Sequence, residues 1–407
     1  MQAERASRAI AAGLFVTLAQ LFVAVVVIAP EGPLPYRYST LVQHDSYWFA
    51  SIIERGYHTI LPPIARKMME VSNVAFFPGY PAIAGALHHW AGLSTPVALL
   101  LTAQAAAWGF WSYFFLFCQR WKVPGGIRVL GAATIVAHPT AFFLVAGYSE
   151  SLFMMTLLGF IYWSGAGGGT ARVLAGVHGI LMSATRIVGI PCAAYPVVRR
   201  IFEEGWDGLR DVRGGMRRYA GAVVLTIVST FGAGAFFLYC LLRWGRWDLY
   251  MLTQEAGWAI APDYLALFKP ASYRWPVPPL NDPTQWSQLT MSLGALCFVA
   301  VGVFEIVMAR RRRTGWQVRA GIYFAAFITY YISVSGVASV EMESMLRYQF
   351  CAHALLILAM MHYLGQVHPG AGAGRWFALV AVGIFIVASA ALQGWWIWNF
   401  TRGNWVA

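Results

Sequence analysis

Long apolar runs dominate this chain, and its polar residues fall in the intervals between them. The runs cover residues 10–29, 96–118, 127–146, 151–165, 173–185, 187–198, 219–242, 287–309, 320–337, 348–364 and 376–392. A helix of roughly 20 apolar residues crosses a bilayer core of about 30 Å. The pattern therefore predicts an all-α polytopic membrane protein of about eleven transmembrane helices. The runs at 173–185 and 187–198 are short and need tilt or local thinning to span. Residues 75–92, "AFFPGYPAIAGALHHWAG", are apolar but short, with two prolines inside and a His pair near the end. They predict a helix at, or dipping into, the outer interface. "HDSYWFASIIERGY" sets Trp48, Phe49, Ile52 and Ile53 on one helical face, which predicts a second, amphipathic interfacial helix. No internal repeat is evident. The organisation expected is one integral-membrane domain over 1–407, with two large extracytoplasmic segments at 30–95 and 243–286.

Basic residues near span ends orient the chain. Arg5 and Arg8 precede the first run and place the N-terminus in the cytoplasm. That run is long for a signal peptide and lacks a small-x-small cleavage site, so it predicts an uncleaved span. Arg120, Lys122 and Arg128, then Arg199 and Arg200, then "RRRRTGWQVR" all fall on the cytoplasmic side of this alternation. The C-terminus falls outside, with "WWIWNF" as an aromatic anchor at the outer interface.

Composition supports the same class. Hydrophobic residues make up 59% of the 407 positions and charged residues only 11%, against about a quarter charged in soluble domains. The net charge of +12 is carried in short runs between apolar segments, the pattern of cytoplasmic loops and not of a nucleic-acid surface. Cys118, Cys192, Cys240, Cys297 and Cys351 lie in or beside apolar runs without close pairing. They read as small core residues and not as a disulfide framework or metal site. Short loops and Arg-heavy, Lys-poor usage point to a bacterial plasma membrane before an endoplasmic-reticulum membrane.

Ionisable residues at membrane depth are functional candidates. Asp45, Glu150 in "AGYSES", Arg186 in "SATRIVG", and Glu341, Glu343 and Arg347 in "VEMESMLRYQ" all fall on the outer face of this topology. The basic residues that orient the chain are not among them. Plainer readings stand beside each. Asp45 can cap an interfacial helix, and Glu150 can complement a helix dipole. Arg186 can snorkel from a helix end, and Arg347 can pair with Glu343 one turn earlier. No His, Cys or Asp cluster has metal-ligand spacing, and no Gly-rich phosphate loop is present.

"HDSYWFASIIERGY", "AFFPGYP", "HPTAFFLVAGYSESLF" and "TRIVG", in this order, resemble the PIG-V family of multi-spanning GT-C-class glycosyltransferases. The first half of the chain carries most of the resemblance, "YSESLF" being its most specific block. "LRYQF" is similar to an Arg-Tyr near a late span of the family. Where the family usually has Trp before its first-loop Asp, this chain has His44. The resemblance implies a GT-C-like helical bundle and transfer of mannose from a polyprenyl-phosphate donor at the outer membrane face. It also implies that Asp45 is the catalytic base.

On that reading Arg186 and Arg347 hold the donor phosphate. His44, Trp48, Tyr148, Glu150, Glu343 and Tyr348 bind sugar or acceptor, Tyr148 and Glu150 alternatively orienting Arg186. The transfer inverts the anomeric centre and needs no metal or other cofactor, because fixed guanidiniums replace the metal. The Trp-rich segment "RWGRWDLYMLTQEAGWAIAPDY" is expected to cover the acceptor, although Trp also favours the outer interface on its own account. Expected partners are membrane lipids, the polyprenyl-phosphate sugar, and a glycolipid, lipid-linked glycan or protein acceptor, with the protein as a monomer. The alternative is a polytopic lipid or glycolipid transporter or flippase, which also needs many spans and phosphate-holding arginines.

Overall fold

A computed structural model describes residues 2–61, 72–204, 212–275, 277, 283–312, 315–366 and 373–406. Parts of the two expected outer segments (62–71, 276 and 278–282) and the end of the "RRRR" run (313–314) lie outside the described residues. Among the described residues the structure is helical, with one isolated bridge between Thr59 and Ser72 and no strand.

In chain order the helices are α1 (Gln2–Phe22), α2 (Leu34–Ser39), α3 (Asp45–Arg55), α4 (Gly79–Ala91), α5 (Thr95–Arg120), α6 (Gly125–Val136), α7 (Glu150–Ser164), α8 (Gly169–Thr185), α9 (Gly189–Cys192), α10 (Tyr195–Glu204), α11 (Val212–Ser229), α12 (Phe231–Trp244), α13 (Leu249–Trp258), α14 (Pro283–Arg312), α15 (Trp316–Val337), α16 (Met345–Gln366) and α17 (Ala373–Phe400).

Among the described residues five helical stretches are long and apolar enough to cross a membrane: Ala6–Ile28, Thr95–Arg120, Thr284–Val307, Trp316–Val340 and Leu379–Phe400. Tyr219–Ser229 and Phe231–Trp244 form a sixth if counted as one span bent by 41°. The chain is thus a helical membrane protein. Little of Thr284–Val307 or Leu379–Phe400 is covered by protein, as suits helices whose solvent is lipid.

The run at 127–146, expected as one continuous span, is instead α6 followed by a turn and a 3₁₀ segment, Ala141–Leu144. Pro139 explains the break, because proline disfavours helical backbone at the residue before it. The run at 187–198 is likewise split into α9 and α10 around Pro191 and Pro196.

Several polar side chains between the helices find partners on neighbouring helices. Trp111 donates its indole N–H to Gln20 Oε1 at 2.8 Å, and the Gln20 amide donates to the Ala141 carbonyl at 3.3 Å. Trp108 donates to the Ile10 carbonyl at 2.8 Å. These bonds join α1 to α5 and to the 3₁₀ segment, where a lost partner would expose a bare polar group to hydrocarbon.

Candidate active site

Two segments far apart in sequence meet first. Gly147 donates its N–H to the Leu41 carbonyl at 3.0 Å, and Ser46 Oγ donates to the Gly147 carbonyl at 2.9 Å. The Asp45 N–H reaches Tyr148 Oη at 3.4 Å. A Cβ on Gly147 would lie 2.9 Å from Ser46 Oγ, so the "AGYSES" glycine permits this approach. The result holds Asp45, the first residue of α3, beside Glu150, the first residue of α7.

Arg186 follows the last turn of α8 with extended backbone (φ −150°, ψ 146°). Its side chain reaches Glu150 Oε1 at 2.8 Å. The start of α4 presses against the same place. A Cβ on Gly79 would sit 2.9 Å from the Ala184 carbonyl carbon and oxygen. Arg347 lies in the first turns of α16, entered through Glu341, Met342 and Ser344, all in the left-handed region (φ 55°, 65° and 61°). Such backbone costs free energy at each non-glycine position and gathers at functional sites.

The four charges form an alternating row. Arg347 Nη1 is 3.1 Å from Asp45 Oδ2, Arg347 Nε is 3.6 Å from Glu150 Oε1, and Glu150 joins Arg186. The side chains of Arg347 and Glu150 are 5% and 8% exposed, whereas Asp45 and Arg186 keep 21% and 22% open. Arg347 Nη1 and Nε nevertheless have no aligned hydrogen-bond acceptor. Asp45 lies off the Nη1–H direction, and Glu150 is beyond hydrogen-bond reach of Nε. Four rings surround this guanidinium, with centroids 5.1 Å (Tyr348), 5.5 Å (Phe143), 5.5 Å (Tyr148) and 5.8 Å (Trp405) from Cζ. A buried guanidinium gains cation–π attraction there and keeps N–H donors free for another acceptor.

Asp45, Glu150, Arg186, Arg347 and Tyr348 line one cavity of about 310 Å³. The wall continues onto apolar and small residues of α7, α15 and α16, among them Phe153, Thr329, Ile332, Ser333 and Gly336. Tyr250, Gln254, Ile260, Pro262 and Tyr264 of the Trp-rich segment 243–264 close it from another side. That segment is pinned to the end of α15: Asp263 donates its N–H to the Ser335 carbonyl at 2.8 Å, and Ala261 to Ser339 Oγ at 2.9 Å. The hydrogen bond from Lys269 holds the Asp263 carboxyl below its usual range.

The remaining candidates do not line the cavity. Tyr148 is buried behind Asp45, where it accepts the backbone bond and faces Arg347. Trp48 is buried against Phe76 (5.5 Å, stacked) and Trp258 (5.1 Å), one layer from the cavity wall. His44 turns to the C-terminal tail. Glu343 is exposed on the turn before α16 and off the cavity wall; the carboxylates on Arg347 are those of Asp45 and Glu150.

Sequence reasoning missed the cavity face of α15 and the tail tryptophan. Thr329, Ser333 and Gly336 recur at i, i+4 and i+7, the spacing of one helical face. Among the described residues no group of three or more His, Cys, Asp or Glu side chains is placed to hold a metal. No protein-family model matches the chain, and no curated protein does.

Proposed function

We propose that this protein is a GT-C-like membrane glycosyltransferase that crosses the bilayer about eleven times, the shorter helices and the bent pair completing the count beyond the long spans. It moves a hexose, mannose on the family resemblance, from a polyprenyl-phosphate sugar to a lipid-linked or glycan acceptor at the extracytoplasmic face. The observation that carries the reading is the Asp45–Arg347–Glu150–Arg186 row on a single cavity, with unfilled donors on Arg347.

The row has no net charge when all four groups are ionised. A polyprenyl-phosphate sugar is a phosphodiester with one negative charge. As the acceptor oxygen bonds to the anomeric carbon, its proton passes to Asp45. The bond from that carbon to phosphate oxygen breaks, and its electron pair leaves with the phosphate as a doubly charged monoester. Protonation of Asp45 removes the carboxylate nearest Arg347 as the phosphate gains charge. Arg347 is thereby released to the leaving group at the moment it is needed. An interaction that strengthens during the reaction accelerates it, whereas one present throughout does not. Positioned base help is typically worth ~10²–10⁴ in rate. The guanidiniums supply the charge-assisted bonds to phosphate, and one displacement inverts the anomeric centre.

The apolar wall beyond the charges suits the prenyl chain, and the aromatic outer segment suits a sugar acceptor. The test is incubation of the purified protein in liposomes with radiolabelled polyprenyl-phosphate mannose and acceptor lipids. Label transferred to an acceptor is the expected result. Label that only changes leaflet would establish a lipid transporter instead, a reading that the split at α9 and the bent α11–α12 pair also accommodate.

A further inference from the structure

After α17 the chain turns back on itself. Gly403 donates its N–H to the Phe400 carbonyl at 3.0 Å, Asn404 to the Asn399 carbonyl at 3.1 Å, and Gly403 takes φ 82°. This brings Trp405 over the candidate site. Its ring centroid lies 5.8 Å from Arg347 Cζ and 5.0 Å from the His44 imidazole, met edge-on at 86°. The neighbouring Asn404 carbonyl is 3.1 Å from His44 Nε2. A carbonyl only accepts, so Nε2 carries the proton. Phe400 supports the same corner, packing on His44, Phe143 and Tyr148 at 5.8, 5.6 and 5.8 Å.

His44 has backbone φ 49° and ψ −108°, a conformation that a side-chain-bearing residue keeps only when its surroundings hold it. Its side chain is held by the tail and the end of α17. His44 also precedes Asp45 directly, so its backbone sets where the α3 carboxylate points. Of the four rings around Arg347, Phe143 and Tyr148 are buried core. Trp405 is 47% exposed and comes from the opposite end of the chain. One aromatic side chain thus touches both the proposed phosphate-holding guanidinium and the residue that orients the proposed base.

We propose that Trp405 is a positioning residue of this site: the C-terminal tail clamps His44 and Arg347 so that Asp45 and the guanidinium keep their separation while negative charge passes from the carboxylate to the leaving phosphate. This rests on the transferase reading above. The Trp405 ring takes the Arg347 guanidinium over its face and packs perpendicular to the His44 imidazole, so an aromatic side chain is required and a bulky aliphatic one does not suffice.

The experiment compares wild type, Trp405→Phe and Trp405→Leu as purified full-length proteins. Sites are counted by binding of farnesyl phosphate, and transfer is measured from radiolabelled polyprenyl-phosphate mannose to acceptor lipids. Per farnesyl-phosphate site, Trp405→Leu is expected to lower kcat about tenfold, equivalent to about 1.4 kcal/mol in the barrier. Its donor KM should change far less, and Trp405→Phe should remain within about twofold of wild type. A purely structural role would reduce the number of sites and leave kcat per site alone. Equal kcat per site in the Leu variant and wild type overturns the assignment, as does equal loss in the Phe and Leu variants. A wild type that neither binds farnesyl phosphate nor transfers label removes the transferase reading and this proposal together. A wild type that does both, beside an unaffected Leu variant, removes only the role of Trp405.

Discussion

Glu150 stands between two arginines and is the residue on which the charge row depends. Its carboxylate meets Arg186 at 2.8 Å and Arg347 at 3.6 Å, with only 8% of the side chain exposed. Without its charge, two guanidiniums would face one another in a poorly hydrated pocket. Breaking a buried pair by removing one partner typically costs about 3–5 kcal/mol. Glu150→Gln is therefore expected to lower the thermal unfolding temperature in detergent as well as activity. An unchanged midpoint would mean that Glu150 does not hold the arginines together. Asp45, Glu150, Arg186 and Arg347 were legible in the sequence because charges at membrane depth are conspicuous against apolar runs. Trp405 was not. Its tail meets His44 across 360 residues of sequence, and beside "WWIWNF" one more tryptophan reads as interface anchoring.

At the scale of elements, the site depends on how closely backbones approach. The loop before α3 docks on the segment before α7 through Gly147, where a Cβ would stand 2.9 Å from Ser46 Oγ and 3.4 Å from Ser46 Cβ. Overpacking of this kind costs about 1–3 kcal/mol. Gly147→Ala is expected to lower kcat by more than its modest loss of stability explains, since the shift falls on Asp45. Activity and unfolding measured on the same sample check this; a stability loss with full activity would show that the loop relaxes without moving the carboxylate. The amphipathic pattern of α3 and the short α4 were legible because hydrophobic periodicity reports local structure directly. The break at 137–146 was not seen in the run of apolar residues, although Pro139 signalled it. There the count of apolar residues outweighed the local rule. The His138–His353 contact, 2.9 Å between ring nitrogens, was equally invisible because it pairs that break with α16.

On the scale of the whole molecule, apolar runs identify a helical membrane protein and basic residues suggest its orientation, but neither specifies which helices surround a cavity. That depends on tertiary packing. Asp45, Glu150, Arg186 and Arg347 come from α3, α7, the end of α8 and α16, and the aromatic segment 243–264 closes over them. The central claim is that one proton transfer both activates the acceptor and frees Arg347 for the leaving phosphate. Asp45→Asn imitates the protonated carboxyl, so it separates the two halves of that claim. The decisive measurement is farnesyl phosphate affinity and mannose transfer on the same folded Asp45→Asn protein. The account predicts tighter binding of the monoester than in wild type, with transfer reduced by ~10²-fold or more. Unchanged or weaker binding together with undiminished transfer would contradict it.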